Sequence, residues 1–316
     1  MYNIRENLSE SIKKNTPEIV LFSGGIDSSA VLYESMKYNK NVKALTVGIK
    51  ENNNEDILYS KLVASKLNIP LLIREVDKQY VLSKVDEAVK ILKSFSPEWI
   101  SSMVTLIIGI EYANQKGFKK IGSGEGADDL FGSFPFFKTY NGSKEDLEYI
   151  INTRYDNIKV MTNIIAQAYN TLGITPFRDN NVVKCIQEIP LEIRMKETPD
   201  MKTKYPLRMS YLNILPYESI VRPQTMAFTG SGVYDIIKTL EEDVSDNEYQ
   251  KACEKIFPFK NKLEYVLFKK YIKNYRYIKS HGDGCVHCDS VMDSNLVHCD
   301  ACQTVQYKRK ELKFNA

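Results

Sequence analysis

Between Glu18 and Gly124 short apolar runs alternate with segments of helical length, and two of those runs stop in glycine-rich turns. "EIVLF" from Glu18 reads as a buried strand, "IDSSAVLYESMKY" from Ile26 as a helix and "NVKALTVGI" from Asn41 as the next strand. "EDILYSKLVASKL" from Glu55 is then a helix and "IPLLIREV" from Ile69 a strand. A helical stretch from about Val81 to Lys93, a helix in "MVTLIIGIEYANQKG" and a short strand in "FKKIGSG" continue the series. Strands separated by helices of that length predict an α/β fold, a parallel sheet with helices on both faces. Ligands of such sheets bind at the carboxyl ends of strands, where both glycine turns fall.

After the first strand, Ser23-Gly24-Gly25 lets the backbone turn tightly and approach a ligand without a Cβ in the way. The next helix begins there and offers unpaired N–H groups, so the turn is a phosphate cradle. It lacks the lysine of a Walker A loop. Asp27, just inside the helix, would repel a bare phosphate but suits a magnesium ion bridging phosphate oxygens, and Ser23, Ser28 and Ser29 add hydroxyls. Taken alone, the stretch also fits a plain tight turn capped by Ser and Asp. The second turn, "GSGEGADDLFG" from Gly122, sets Glu125, Asp128 and Asp129 beside four glycines. Two such turns at strand ends imply one site for a nucleotide and its metal.

Histidine usage narrows the chemistry. The three histidines are His281, His287 and His298, so a Ser-His-Asp triad or a His-ligated metal is excluded from the first 280 residues unless the tail supplies it. Carboxylates, lysines, backbone dipoles and bound magnesium remain. The amino-terminal stretch has no apolar h-region, and the most apolar run, from Trp99, is too short to span a bilayer. A cytoplasmic protein with no membrane partner is expected.

At this point the sequence resembles the asparagine synthetase family within the PP-loop ATP pyrophosphatases. "SGGIDSS" is similar to the family's pyrophosphate-binding loop and "SGEGADDLFG" to its second motif. "ALTVGI" from Ala44 resembles the adenine-facing strand, "GITPFRD" from Gly173 the Pro-Phe-Leu-Asp segment, and "KYPLR" from Lys204 the Lys-x-x-Leu-Arg segment. "LPYESIVRPQ" from Leu215 and "GSG" at Gly230 close a resemblance spanning Ile19 to Gly232, 214 of 316 residues. It implies a PP-loop fold of the adenine nucleotide alpha hydrolase type. It also implies that Ser23, Gly24, Gly25, Asp27, Ser28 and Ser29 bind the pyrophosphate of ATP, with Thr46, Val47 and Gly124 lining the nucleotide site. Asp27 and Asp128 would hold Mg2+, and Glu125 would act as a base for incoming ammonia. The implied reaction adenylates a carboxylate with loss of pyrophosphate, then admits a nitrogen nucleophile, leaving AMP.

Three features depart from the family. The chain reaches its nucleotide loop within about 20 residues of Met1, with no cysteine-led glutaminase domain before it, so it is not expected to hydrolyse glutamine itself. The family's Arg-x-Lys reads Arg222-Pro223-Gln224, which removes a cation from the departing pyrophosphate unless Lys202, Lys204 or Arg222 takes over. The third departure is the tail. Cys285-x-x-Cys288 and Cys299-x-x-Cys302, ten residues apart, have the spacing of a zinc ribbon. Four thiolates leave the metal no open position, so Zn2+ there would be structural. His287 and His298 inside the knuckles are substitute ligands or, as preferred, solvent-facing groups. Cys185 and Cys253 read as buried apolar cysteines, although a sulfur carrier is the alternative.

From Phe259 to Ala316 there are 11 Lys/Arg against 6 Asp/Glu, a basic end on a near-neutral body. Its first part, "FKNKLEYVLFKKYIKNYRYIKS", interleaves basic and tyrosine side chains, as RNA binding would require. For this segment alone the preferred reading is an amphipathic helix packing its apolar face on the body. The expected organisation is a PP-loop core over 1–143, a mainly helical remainder over 144–280 and a zinc-ribbon-like module over 281–316. The expected function is an AMP-forming ligase with catalytic Glu125, Lys204 and Arg222, acting on a small-molecule acceptor. The alternatives are a tRNA-modifying enzyme, with tRNA held by the tail and a separate ammonia or sulfur donor protein, and a non-catalytic nucleotide-binding relative.

Overall fold

The computed structural model describes residues 2–50, 54–293, 295–307 and 310–311. Lys308, Arg309 and Lys313, part of the basic excess counted above, lie outside them. Five strands, Ile19–Leu21 (β1), Lys43–Ile49 (β2), Leu71–Val76 (β3), Lys120–Gly122 (β4) and Leu172–Ile174 (β5), form one parallel sheet. The helices Ile4–Lys14 (α1), Ile26–Tyr38 (α2), Glu55–Leu67 (α3), Lys78–Ser83 (α4), Val85–Leu92 (α5) and Pro97–Gln115 (α6) precede β4.

The strand order is β3-β2-β1-β4-β5. The chain therefore winds outward from β1 through α2 and α3 to β3, then returns through α4–α6 to the other side of β1. That reversal opens a crevice beyond the carboxyl ends of β1 and β4. Side chains alternate across the sheet. Val20 and Phe22 join a core layer with Ile4, Leu8 and Ile12 of α1 and with Ala30 and Val31 of α2. Ile19, Leu45 and Ile121 join the opposite layer with Val104 and Ile108 of α6. Burial on both faces explains why β2 reads as an almost unbroken apolar run.

Two elements go beyond the sequence reading. Helix α1 carries a fully buried stripe at Ile4, Leu8 and Ile12, spaced four residues apart. Strand β5 comes from beyond residue 144, so the sheet takes its last strand from the mainly helical region.

The helix Lys262–Ile272 buries Leu263, Val266, Leu267 and Phe268, and Lys262, Lys269 and Lys270 pair with Asp246, Glu248 and Asp86. The cysteine-bearing segment then docks on the body. Ser94 Oγ and the Phe95 N–H both donate to the Ala301 carbonyl at 2.8 Å. The expectation that His287 and His298 face solvent is corrected here. His298 is 1% exposed, and His287 Nε2 lies 2.9 Å from Glu264 Oε1 with its ring edge-on to Phe257. Docking of the segment against Phe257 and the Lys262–Ile272 helix covers His287. Among the described residues no helix is long and apolar enough to cross a membrane.

Candidate active site

Parallel pairing of β1 with β4, in the register Val20 to Gly122, sets the two glycine turns side by side. Gly24 has φ +79°, and a Cβ there would lie 2.7 Å from the Tyr59 carbonyl carbon. Gly124 meets the other turn so closely that its Cβ would lie 2.7 Å from that of Asp27. The glycines thus do two jobs: one admits a left-handed turn, the other lets two loops touch.

The touching loops converge two carboxylates on one cation. Lys204 Nζ donates to Asp27 Oδ2 and, at 2.7 Å, to Asp128 Oδ1, although 177 residues separate Lys204 from Asp27. Lys204 is 3% exposed. Burial alone would lower its pKa, but the Asp128 and Asp27 charges more than offset that and raise it. Burial raises the Asp27 carboxyl, Lys204 opposes this, and Asp128 adds to it. Gln224, in the place of the family lysine, donates Nε2–H to Asp128 Oδ1 at 2.5 Å. Lys202 is exposed and does not line the cavity, so Lys204 is the cation at this point. The donor set fits magnesium: two hard carboxylates share one point, and Asp27 Oδ1 is buried without a partner.

Arg222 braces the first turn. It donates Nη1–H to the Ser23 carbonyl and Nη2–H to Asp56 Oδ1 at 2.7 Å, with its guanidinium 4.4 Å from the Tyr59 ring centre. Burial pushes the Asp56 carboxyl up to about 6, against the pull of Arg222. Because the folded value exceeds the ordinary 3.8, this group's contribution to stability is complete below 3.8 and is lost as pH rises through about 6. Acid therefore does not unfold the protein through Asp56; it removes the charge that anchors Arg222. ATP affinity is expected to fall about tenfold between pH 7 and 5 with a midpoint near 6, and Asp56→Asn to be weak throughout and flat over that range. Titration calorimetry against pH checks this; an unchanged profile in Asp56→Asn contradicts it.

The turns open into a cavity of about 600 Å3. Ser23, Gly25, Asp27 and Ser28 line it, as do Thr46 and Val47 in the middle of β2. Gly124, Glu125 and Asp128 line it from the second turn, and Lys204 and Arg222 from the helical region. Gly24 and Ser29 do not line it; Ser29 is fully buried, with its hydroxyl unpartnered. Both Glu125 oxygens are engaged, accepting N–H from Met161 at 2.7 Å and Thr162 at 2.8 Å. Burial raises the Glu125 pKa, with those bonds and Arg178 opposing. Asp56 escaped the sequence reading because an acid in the first turn of a helix is ordinary. Arg208, the last residue of "KYPLR", is given no role there, for its bonds to the Thr203 and Ile220 carbonyls are visible only in three dimensions.

At the chain's other end Cys285, Cys288, Cys299 and Cys302 are all buried, with their sulfurs within 4.8 Å of one another. Cys285 and Cys302 are 3.5 Å apart and Cys288 and Cys299 3.8 Å. A tetrahedral zinc with Zn–S bonds of about 2.3 Å needs edges of about 3.8 Å, so the group can hold a metal. Each pair sits on the same turn. The Asp289 N–H bonds the Cys285 carbonyl at 2.8 Å and the Gln303 N–H the Cys299 carbonyl at 2.7 Å, and Asp289 and Gln303 are both left-handed.

The asparagine synthase family model matches residues 3–169, just over half of the chain. A Methanocaldococcus jannaschii sequence assigned as glutamine-hydrolysing asparagine synthetase 1 is 26% identical over 186 residues, 56% of this chain and 34% of that one. Asparagine synthetase B of Escherichia coli is 23% identical over 276 residues, 79% of this chain and 49% of the relative. The 7-cyano-7-deazaguanine synthase of Leptospira interrogans is 32% identical over 79 residues, 25% of this chain and 33% of the relative. The chain thus spans between a third and a half of the length of these relatives.

Proposed function

The chain belongs to the asparagine synthase family, and on that premise we propose that it is an ATP-dependent ligase forming AMP and pyrophosphate. An acceptor carboxylate oxygen attacks the α-phosphorus of ATP, the bond to pyrophosphate breaks, and the acceptor becomes an adenylate. Ammonia or an amine then attacks the activated carbon, loses a proton to a base, and expels AMP. The observation that carries this reading is the convergence of Asp27 and Asp128, from two strand ends, on Lys204 at the reversal of strand order.

The residues divide the work. The turn from Ser23 to Ser28 holds the phosphates, and Thr46 and Val47 line the adenine side. Lys204 places a buried positive charge where pyrophosphate departs, the part left open by Gln224. Arg222 positions the turn. Asp27 and Asp128 would hold magnesium, which when bound neutralises charge on the leaving pyrophosphate. Glu125 keeps lone pairs beyond its two backbone bonds, and its raised pKa makes it a better acceptor for the proton of the incoming nitrogen. The four cysteines are assigned to structural zinc, and the cytoplasm, where thiols stay reduced, is the assigned compartment.

A tRNA substrate has less support, because Lys262, Lys269 and Lys270 are already paired with carboxylates of the body. ATP–pyrophosphate exchange, driven either by a pool of small carboxylic acids or by total tRNA, tests the choice. Exchange with the acids is expected. Exchange with tRNA alone would overturn the small-molecule acceptor and make the tail an RNA grip.

A further inference from the structure

Asp128 and Asp129 are neighbours in one short helix, Ala127–Leu130, yet they serve different partners. Asp128 bonds Lys204, whereas Asp129 accepts from Arg154 Nε at 3.0 Å. Asp129 and Arg154 line the same cavity as the glycine turns.

The wall around Arg154 is cationic. Arg154, Arg178 and Lys159 line it. Arg154 is 2% exposed, and Arg154 Nη1 and Arg178 Nε are buried with no hydrogen-bond partner. The Arg154 guanidinium lies 5.5 Å from the Trp99 ring centre, 5.2 Å from that of Phe134 and 5.7 Å from that of Phe136. Phe134 and Phe136 stack with 9° between their planes. Gln303 and Val305, from the loop that carries Cys299 and Cys302, complete the wall, and Gln303 Oε1 is buried without a partner.

These groups select a ligand. An unpartnered guanidinium nitrogen in a dry wall calls for an acceptor, best a carboxylate. The unpartnered Gln303 Oε1 in the same wall calls for a donor, such as a ring N–H. Three aromatic faces favour a ring and would leave the walls wet around a small aliphatic acid. The geometry points to this wall as the acceptor subsite, and to a flat, ring-bearing carboxylic acid as the acceptor. The inference rests on the ligase reading, since it names the acid to be adenylated.

Trp99 is the chain's one tryptophan, so its fluorescence reports on this wall alone. Benzoate and benzimidazole-5-carboxylate are expected to change its emission saturably in the full-length, metal-bound protein, whereas aspartate and succinate leave it unchanged. Gln303→Ala and Phe134→Ala, with Phe134→Leu as the milder replacement, are expected to weaken ring-acid binding about fivefold or more while ATP affinity by calorimetry stays within about twofold. A response to aspartate without one to the ring acids, or unaltered ring-acid binding in all three variants, overturns the inference. The two readings fail separately. Ring-acid binding with no AMP formation would sink the ligase reading and keep the subsite, and AMP formation with aspartate alone would do the reverse.

Discussion

Asp27→Asn is expected to abolish ATP–pyrophosphate exchange, by about 10^3-fold or more, while leaving the protein folded. The substitution keeps the shape of the side chain and its contact with Gly124 but removes one of the two charges that meet at Lys204. A loss of that size corresponds to about 4 kcal/mol of transition-state stabilisation, within the range for a metal-held leaving group. Stability should move little or improve. Burial raises the Asp27 pKa despite Lys204, so folding disfavours the charged form of this carboxylate. Sites that sacrifice stability for chemistry behave this way when neutralised. Exchange rates and the thermal midpoint, measured together, check both halves of the expectation; exchange close to wild type would remove Asp27 from the site.

The second large effect belongs to the tail. Cys299→Ser is expected to lose the metal and to lower the unfolding midpoint by about 4–5 °C, from a loss of about 3 kcal/mol. The cysteines are not an appendage on a linker. Their sulfurs pack in the same core layer as Phe95, Phe257 and Phe268, and the Ala301 carbonyl is fixed by two bonds from Ser94 and Phe95. Opening this turn therefore disturbs the wall at Gln303 and Val305 as well. Elemental analysis should find about one zinc per wild-type chain and far less in the variant. Wild-type protein without metal, with an unchanged midpoint in Cys299→Ser, would refute the assignment.

Local pattern made the phosphate turn legible, because strand, glycines and acid are adjacent from Ile19 to Ser28. The strand order that brings Asp128 beside Asp27 was not legible, since it depends on β4 pairing with β1 across 102 residues. Resemblance drew attention to Lys204 and Arg222, but only the fold separates them: one stands between carboxylates, the other ties a carbonyl to Asp56. Trp99 and Arg154 gave no signal at all. One reads as part of an apolar helix and the other as a helical surface cation until the chain places the two within 5.5 Å. The histidines misled because a short loop between knuckle cysteines looks exposed until its docking partner is known.

The most direct test is the identity of the products. Wild-type protein incubated with magnesium, α-labelled ATP, ammonia and a pool of carboxylic acids that includes ring-bearing ones should release AMP and pyrophosphate in equal amounts. Formation of ADP and phosphate under those conditions would contradict the account, because the cleaved bond would then lie at the γ-phosphorus rather than at the α-phosphorus.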